Sequence, residues 1–234
     1  MKKRHPYIGL PDNQFWKNDP GIKHPNIFDP ISAPPFQISK SDRVVTAGSC
    51  FAQHVARHLS SSGFNHYIAE PAHPFIPKSL AGKFGYNLFS ARYGNIYTAR
   101  QLLQTLQRAY GQLEPKTTAW PKGQGSRTVD PFRPQIQPNG FISEEELVAD
   151  REVHFSAIRD AVETMDVFVF TLGLTECWED KRDGMIYPLA PGVAGGQYDT
   201  DLVQFRNFDE IETAEAEAIH PSWLINKHIN WQKS

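Results

Sequence analysis

The sequence predicts an α/β domain built on a parallel sheet, and three observations carry that reading. Arg43-Val44-Val45-Thr46-Ala47 is a short run rich in β-branched residues that ends at Gly48 and passes straight into a helical pattern. Val167-Phe168-Val169-Phe170-Thr171-Leu172 is almost continuously apolar, as expected of a strand buried on both faces of a parallel sheet. Helical patterns occupy much of the chain between the two runs.

Taken in order, residues 1–41 read as an irregular arm. Pro6, Pro11, Pro20, Pro25, Pro30, Pro34 and Pro35 break any period there, while Phe15, Trp16, Ile27, Phe28 and Phe36 offer apolar anchors. The Arg43–Ala47 strand turns at Gly48 into a helix through Phe51, Val55 and Leu59, which Gly63 stops. Residues 64–69 suggest a second strand, and 82–98, rich in glycine and aromatics, a structured loop. Leu102, Leu103, Leu106 and Ala109 fall at helical spacing and predict a helix over 99–110. Residues 111–141, broken by Pro115, Pro121, Pro131, Pro134 and Pro138, form a long connection. Ser143 with Glu144, Glu145 and Glu146 opens a further helix running to about Glu163. The apolar strand comes next and ends in a loop, Gly173-Leu174-Thr175-Glu176-Cys177-Trp178. No internal repeat is visible. The predicted domains are the arm 1–41, a main domain 42–208 and a divergent tail 209–234.

Composition excludes several function classes. A chain of 234 residues with 40% hydrophobic and 21% charged residues is neither disordered nor a coiled coil nor collagen-like. A net charge of -2 supplies no basic field for nucleic acid or an acidic membrane. With Cys 2, the chain has no disulfide framework and no four-thiolate metal site. No apolar run approaches the roughly 20 residues of a membrane helix. The basic start Met1-Lys2-Lys3-Arg4 meets His5-Pro6-Tyr7 where a signal peptide would turn apolar. A soluble protein in the reducing cytoplasm is the expectation.

Ligands of parallel α/β sheets gather beyond the carboxyl ends of the strands. Both sharp motifs lie at such ends, so the tips near Cys50 and Gly173 are expected to face one another over one rim. Gly48 permits a tight turn, and the helix after it aims its amides and positive dipole end at Ser49 and Cys50. Such a position favours a thiolate nucleophile, and the same amides can hold an oxyanion. A small buried Ser and Cys that merely allow close packing fit the residues too. At the second tip, a Gly173 amide and the Thr175 hydroxyl are potential oxyanion donors, and Glu176 a group that orients a neighbour; a polar loop with a structurally paired Glu176 is the alternative. His54 and His58 stand four apart on one helix, a spacing that can share a metal, although packing or surface roles suit them better. Gly192-Val193-Ala194-Gly195-Gly196 follows Pro191 rather than a strand and lacks the context of a phosphate loop. Trp178, Trp223 and Trp231 read as packing anchors, since no basic residues interleave with them.

Ala47-Gly48-Ser49-Cys50-Phe51-Ala52 resembles the defining motif of the GSCFA-domain family. The likeness continues through Phe89–Thr98, Asp130-Pro131-Phe132-Arg133-Pro134, Phe170–Glu176 with Trp178, Tyr187-Pro188 with Pro191-Gly192, and Phe205 with Asn207-Phe208. That family is similar to the SGNH (GDSL-like) hydrolases, mostly esterases and acyl hydrolases of three-layer α/β/α, flavodoxin-like fold. The resemblance implies Cys50 at the position of the nucleophilic serine, with Ser49 as the fallback and Gly48 supporting the turn. It implies Gly94 with Asn95 as the second, oxyanion-donating block, and Gly173 with Thr175 and Glu176 as the third, Thr175 standing where an Asn donor is usual. The implied substrate is a small-molecule or glycan ester, with no cofactor and no metal.

The superfamily's general base is a His in an Asp-x-x-His block near the carboxyl terminus. Here the likeness is expected to fade after Phe208, and His220 is preceded three residues earlier by Glu217. Two β-α units are expected to be missing, as in a truncated or frame-shifted version, leaving the parallel sheet incomplete and one edge of the 167–172 strand open. The functional expectation is an acyl esterase acting through a covalent intermediate. The alternative is a ligand-binding or remnant domain without the base, and a metal-dependent enzyme on His54 and His58 is a third class.

Overall fold

The computed structural model describes residues 8–11, Phe15 and residues 36–218. The chain divides into a body, residues 38–232, and a separate unit of residues 1–37 with 233–234. Most of the proline-rich arm and the tail that carries His220, Trp223, His228 and Trp231 lie outside the described residues. Every helix and strand of the described residues belongs to the body.

Strand β1 (Val44–Gly48) is buried at every position. It turns at Ser49 into α1 (Cys50–Ser61), which rests on the strand through Ala52 and Ala56. A short helix α2 (Lys78–Ala81) and a 3₁₀ turn (Gly82–Phe84) lead to α3 (Ala99–Ala109), whose first turn is capped by the Thr98 hydroxyl accepting from the Gln101 amide. A hairpin of two-residue strands, β2 (Trp120–Pro121) and β3 (Thr128–Val129), precedes α4 (Glu144–Thr164). Ser143 caps α4 by accepting from the Glu146 amide, and Glu146 reaches back to the Ile142 amide at 2.6 Å, the reciprocal arrangement that the Ser–Glu spacing predicts. Strand β4 (Val167–Thr171) comes next, then β5 (Glu176–Asp180), β6 (Ile186–Tyr187), β7 (Val203–Asn207) and α5 (Glu210–Ala218).

The fold is therefore mixed α/β. β1 and β4 pair in parallel, with Val44 opposite Val167 and Gly48 opposite Thr171, so both strands end level. β5 lies between β6 and β7 in an antiparallel sheet of three. Three sequence expectations need correcting. β4 is not buried on both faces: with β1 as its one partner among the described residues, in a two-stranded sheet, it is half-buried along its whole length. Residues 64–69 form no strand; His66 makes a single parallel bridge to Val44, and the segment then leaves to join a buried ionic cluster. Glu176, Cys177 and Trp178 are not loop but the start of β5.

The main core sits under the parallel pair. Ala47, Ala52, Phe89, Tyr93, Ile96 and Ile158 are closed off from water, with Phe168 and Phe170 packed against them. A second cluster of Trp120, Phe132, Met185, Tyr187 and Val203 joins the hairpin to the antiparallel sheet. Burying such side chains contributes roughly 1.5–3 kcal/mol each.

Between these cores runs a chain of buried charges. Asp130 accepts from Arg133 at 3.1 Å and from Arg151 at 3.2 Å; Arg133 continues to Asp150 at 2.9 Å. Asp150 accepts from Arg92 at 2.6 Å, and the Arg92 amide donates to Glu70, which also meets His154 Nδ1 at 2.6 Å. Burial alone would raise the Asp130 pKa, but the guanidinium groups of Arg133, Arg151 and Arg108 hold it well below the ordinary carboxylate range. Burial, reinforced by Arg133, pushes His154 down to about 4, so its ring is neutral and donates Nδ1–H to the Glu70 carboxylate. The Arg92 and Asp130–Arg133 blocks of the sequence thus serve to lock loops together.

Candidate active site

The site is built at the level ends of β1 and β4. Gly48 has φ +141, a backbone that other residues rarely adopt, and a Cβ there would run into Thr171 Oγ1 and stand 3.1 Å from the Thr171 carbonyl oxygen. Only glycine lets the two strand ends lie this close. Ser49 then takes extended geometry (φ -90, ψ -166) as the N-cap of α1, without a side-chain cap bond. The first turn of α1 holds no acidic residue, so its positive end faces the site uncompensated. Cys50 opens the helix and is exposed. Among the described residues the amides of Cys50 and Phe51 meet no backbone acceptor, as expected of the first turn of a helix.

The second tip lies against the first. A Cβ added at Gly173 would stand 3.5 Å from Ser49 Oγ and 3.5 Å from the Tyr97 carbonyl oxygen. The segment before α3 closes the arrangement: the Ile96 amide donates to the Gly48 carbonyl at 2.9 Å, and the Leu174 amide to the Tyr97 carbonyl at 2.9 Å. Ser49, Gly173 and the chain around Asn95–Tyr97 are thereby held in one place.

Several predicted residues are present but already engaged. Asn95 donates from Nδ2 to Tyr97 Oη at 3.1 Å, its carbonyl accepts from Gln101 Nε2 at 3.0 Å, and its Oδ1 is buried without a hydrogen-bond partner. Gly94 sits beside it with φ +68 in the turn. Thr175 donates its hydroxyl hydrogen to Asn207 Oδ1 at 2.6 Å, so it serves an oxyanion only by leaving that partner. Glu176 is exposed on β5 opposite Asn207. Thr171, Tyr97, Gln101 and Asn207 were not singled out by sequence reasoning, although Thr171, Tyr97 and Asn207 lie inside the matching blocks; Thr171 Oγ1 is also buried without a hydrogen-bond partner among the described residues. A cleft of about 230 Å³, lined in part by Gln53, Lys83, Phe89, Gly94 and Asn95, opens one helical turn beyond Cys50.

His54, four residues along the helix from Cys50, shares a hydrogen bond at Nδ1 with Arg57 at 3.0 Å, and no histidine hydrogen-bonds to Ser49 or Cys50 among the described residues. Nor does any group of three or more His, Cys, Asp or Glu side chains able to hold a metal occur among them. No helix of the described residues is long and apolar enough to cross a membrane. The second thiol, Cys177, is buried, and burial together with the Glu179 carboxylate pushes it up to about 12.

A strand–Gly–Ser–Cys–helix turn facing a glycine tip over a parallel strand pair defines a small α/β domain with one candidate nucleophile site. Residues 43–231 match the GSCFA family, and the chain belongs to that family. The match runs past Phe208 into the tail. Comparison with curated proteins and with solved structures gives no match.

Proposed function

We propose that this chain is a hydrolase of small-molecule or glycan esters, of the SGNH type, working through an acyl-enzyme. The observation that carries the reading is the meeting of the Ser49-Cys50 turn and the Gly173 tip at the amide end of α1. Cys50 is the assigned nucleophile because its thiol is open to solvent at that end. Ser49, half-buried against Gly173, lines the same point and is the fallback.

In this mechanism the thiol proton leaves to solvent and Sγ adds to the ester carbonyl carbon. The oxyanion that forms is met by the amides of Cys50 and Phe51 and by the helix dipole. Collapse of the tetrahedral adduct breaks the C–O bond to the alcohol, which takes a proton from water. Water then cleaves the thioester, releases the carboxylic acid and returns the thiol. The cleft beside Gln53 and Asn95 supplies room for the acyl or alcohol portion.

The test is incubation with p-nitrophenyl acetate, followed by intact-mass measurement and release of p-nitrophenol. A 42-dalton adduct lost in Cys50→Ala and retained in Ser49→Ala is the expected result, on chemical grounds that an acetyl thioester adds about that mass. Turnover unchanged in both variants overturns the assignment. Saturable ester binding with neither adduct nor turnover assigns a binding role instead.

A further inference from the structure

A second, roomier concavity lies away from that site. A groove of about 1140 Å³ runs between the segment 69–86 and one face of α4. Helical spacing puts Glu146, Asp150, Val153 and Asp160 on that face, and all four line the groove. Its apolar wall is open to water: Phe75 is 90% exposed, Val153 64% and Leu80 41%.

The charges in the groove do not balance. Arg92 is the cation lining it, and that guanidinium is spent on Asp150 at 2.6 Å and Glu70 at 3.7 Å while stacking on Tyr86 at 4.1 Å. Among the described residues, Glu146 and Asp160 accept only from neutral donors, the Ile142 amide at 2.6 Å and the Tyr67 hydroxyl at 2.5 Å. Neither has an ion-pair partner among the described residues. Glu70, 5% exposed, lines the groove with Oε1 buried, 3.7 Å from Arg92 Nη1 and without a hydrogen-bond donor among the described residues. A buried carboxylate oxygen without a donor is a costly feature in a folded protein.

We propose that this groove binds an organic ammonium ion carried on an apolar chain. The ammonium supplies N–H donors and a positive charge to the carboxylate side, and the chain covers Phe75, Leu80 and Val153. A carboxylate of the same length meets repulsion at one end, and a neutral alcohol gains only the apolar contact. The inference stands apart from the ester-hydrolase reading, since no residue of the Ser49–Gly173 site lines the groove.

The experiment is calorimetric titration of the whole chain with n-octylammonium chloride, sodium octanoate and 1-octanol, each below its self-association concentration. Saturable 1:1 binding of octylammonium is expected, with octanoate and octanol weaker by about tenfold or more. Val153→Lys, at an exposed position, keeps the fold and weakens octylammonium by about tenfold; Glu70→Gln weakens it as well. Cys50→Ala binds as wild type. Equal binding of octylammonium and octanoate, no effect of Val153→Lys, or no octylammonium binding at all would overturn the proposal.

Discussion

Ser49 and Gly173 face one another across the rim of the parallel strand pair: a methyl group on Gly173 would stand 3.5 Å from Ser49 Oγ. The approach results from the ladder beneath it, in which Gly48 is opposite Thr171, Ser49 follows Gly48 directly and Gly173 stands one residue beyond Thr171's neighbour Leu172. The two glycines therefore have different jobs. One permits the strand ends to close, and the other leaves space at the place where chemistry is proposed.

Gly48→Ala is expected to cost about 2–4 kcal/mol, because the methyl meets Thr171 in a backbone geometry unfavourable to alanine. Gly173→Ala makes only ordinary contacts at 3.5 Å and is expected to change stability by less than about 0.5 kcal/mol. Urea unfolding of both variants tests the contrast. Acylation by p-nitrophenyl acetate should nonetheless slow by roughly tenfold in Gly173→Ala, since small displacements of a reacting group are costly.

The two cysteines predict a simple labelling pattern. Iodoacetamide at neutral pH should modify the exposed Cys50 and spare Cys177, which is 6% exposed with its thiol pushed up to about 12. Peptide mapping of the native protein should find one modified cysteine, and two after denaturation. Modification of Cys177 in the native protein would contradict the fold around β5.

His154 sets a window of pH sensitivity. Its folded pKa of about 4 lies below the ordinary 6.5, so the unfolded chain binds the proton more readily between those values. Stability from this group is full above about pH 6.5 and declines as pH falls toward 4, by roughly 3 kcal/mol in all. His154→Gln should be less stable at pH 7.5 but lose that slope. Urea midpoints between pH 7.5 and 4.5 give the comparison.

Asp130 is 1% exposed and bonded to two guanidinium groups. Removing its charge leaves buried cations unmatched, and Asp130→Asn is expected to cost about 3–5 kcal/mol. Since its contacts lie away from Ser49 and Cys50, refolded variant protein should still be labelled at Cys50. Loss of labelling with the fold intact would give the network a role in the site.

Much of the scaffold was legible because its signals are local. The β-branched run before Gly48, the leucine spacing of 99–110 and the Ser143–Glu146 box each fix an element within a residue or two of where it lies. The antiparallel sheet was missed because β5 carries Glu176, Glu179 and Asp180, charges that hide a strand in which Cys177 and Asp180 are buried. Asp180 is tolerated there because Arg182 and Tyr187 donate to it at 2.6 and 2.8 Å. Residues 64–69 had the composition of a strand, but composition does not reveal which edge is free. In the site, Gly48, Ser49, Cys50 and Gly173 were readable from strand-end logic. The engagement of Thr175 by Asn207 and of Asn95 by Tyr97 depends on how the chain folds back on itself, which residue types alone do not disclose.

The β1–β4 ladder spans five residue pairs, and every residue of β4 is only half-buried. Such a strand opens at lower free energy than the body around it. When it lifts, Gly173 departs from Ser49 and Phe168 and Phe170 leave the main core, while the ionic cluster and the Trp120–Tyr187 cluster stay assembled. Heat should accordingly silence Cys50 chemistry some degrees before the tryptophan signal reports melting, and amide exchange at Val169 and Thr171 should outpace that of α4.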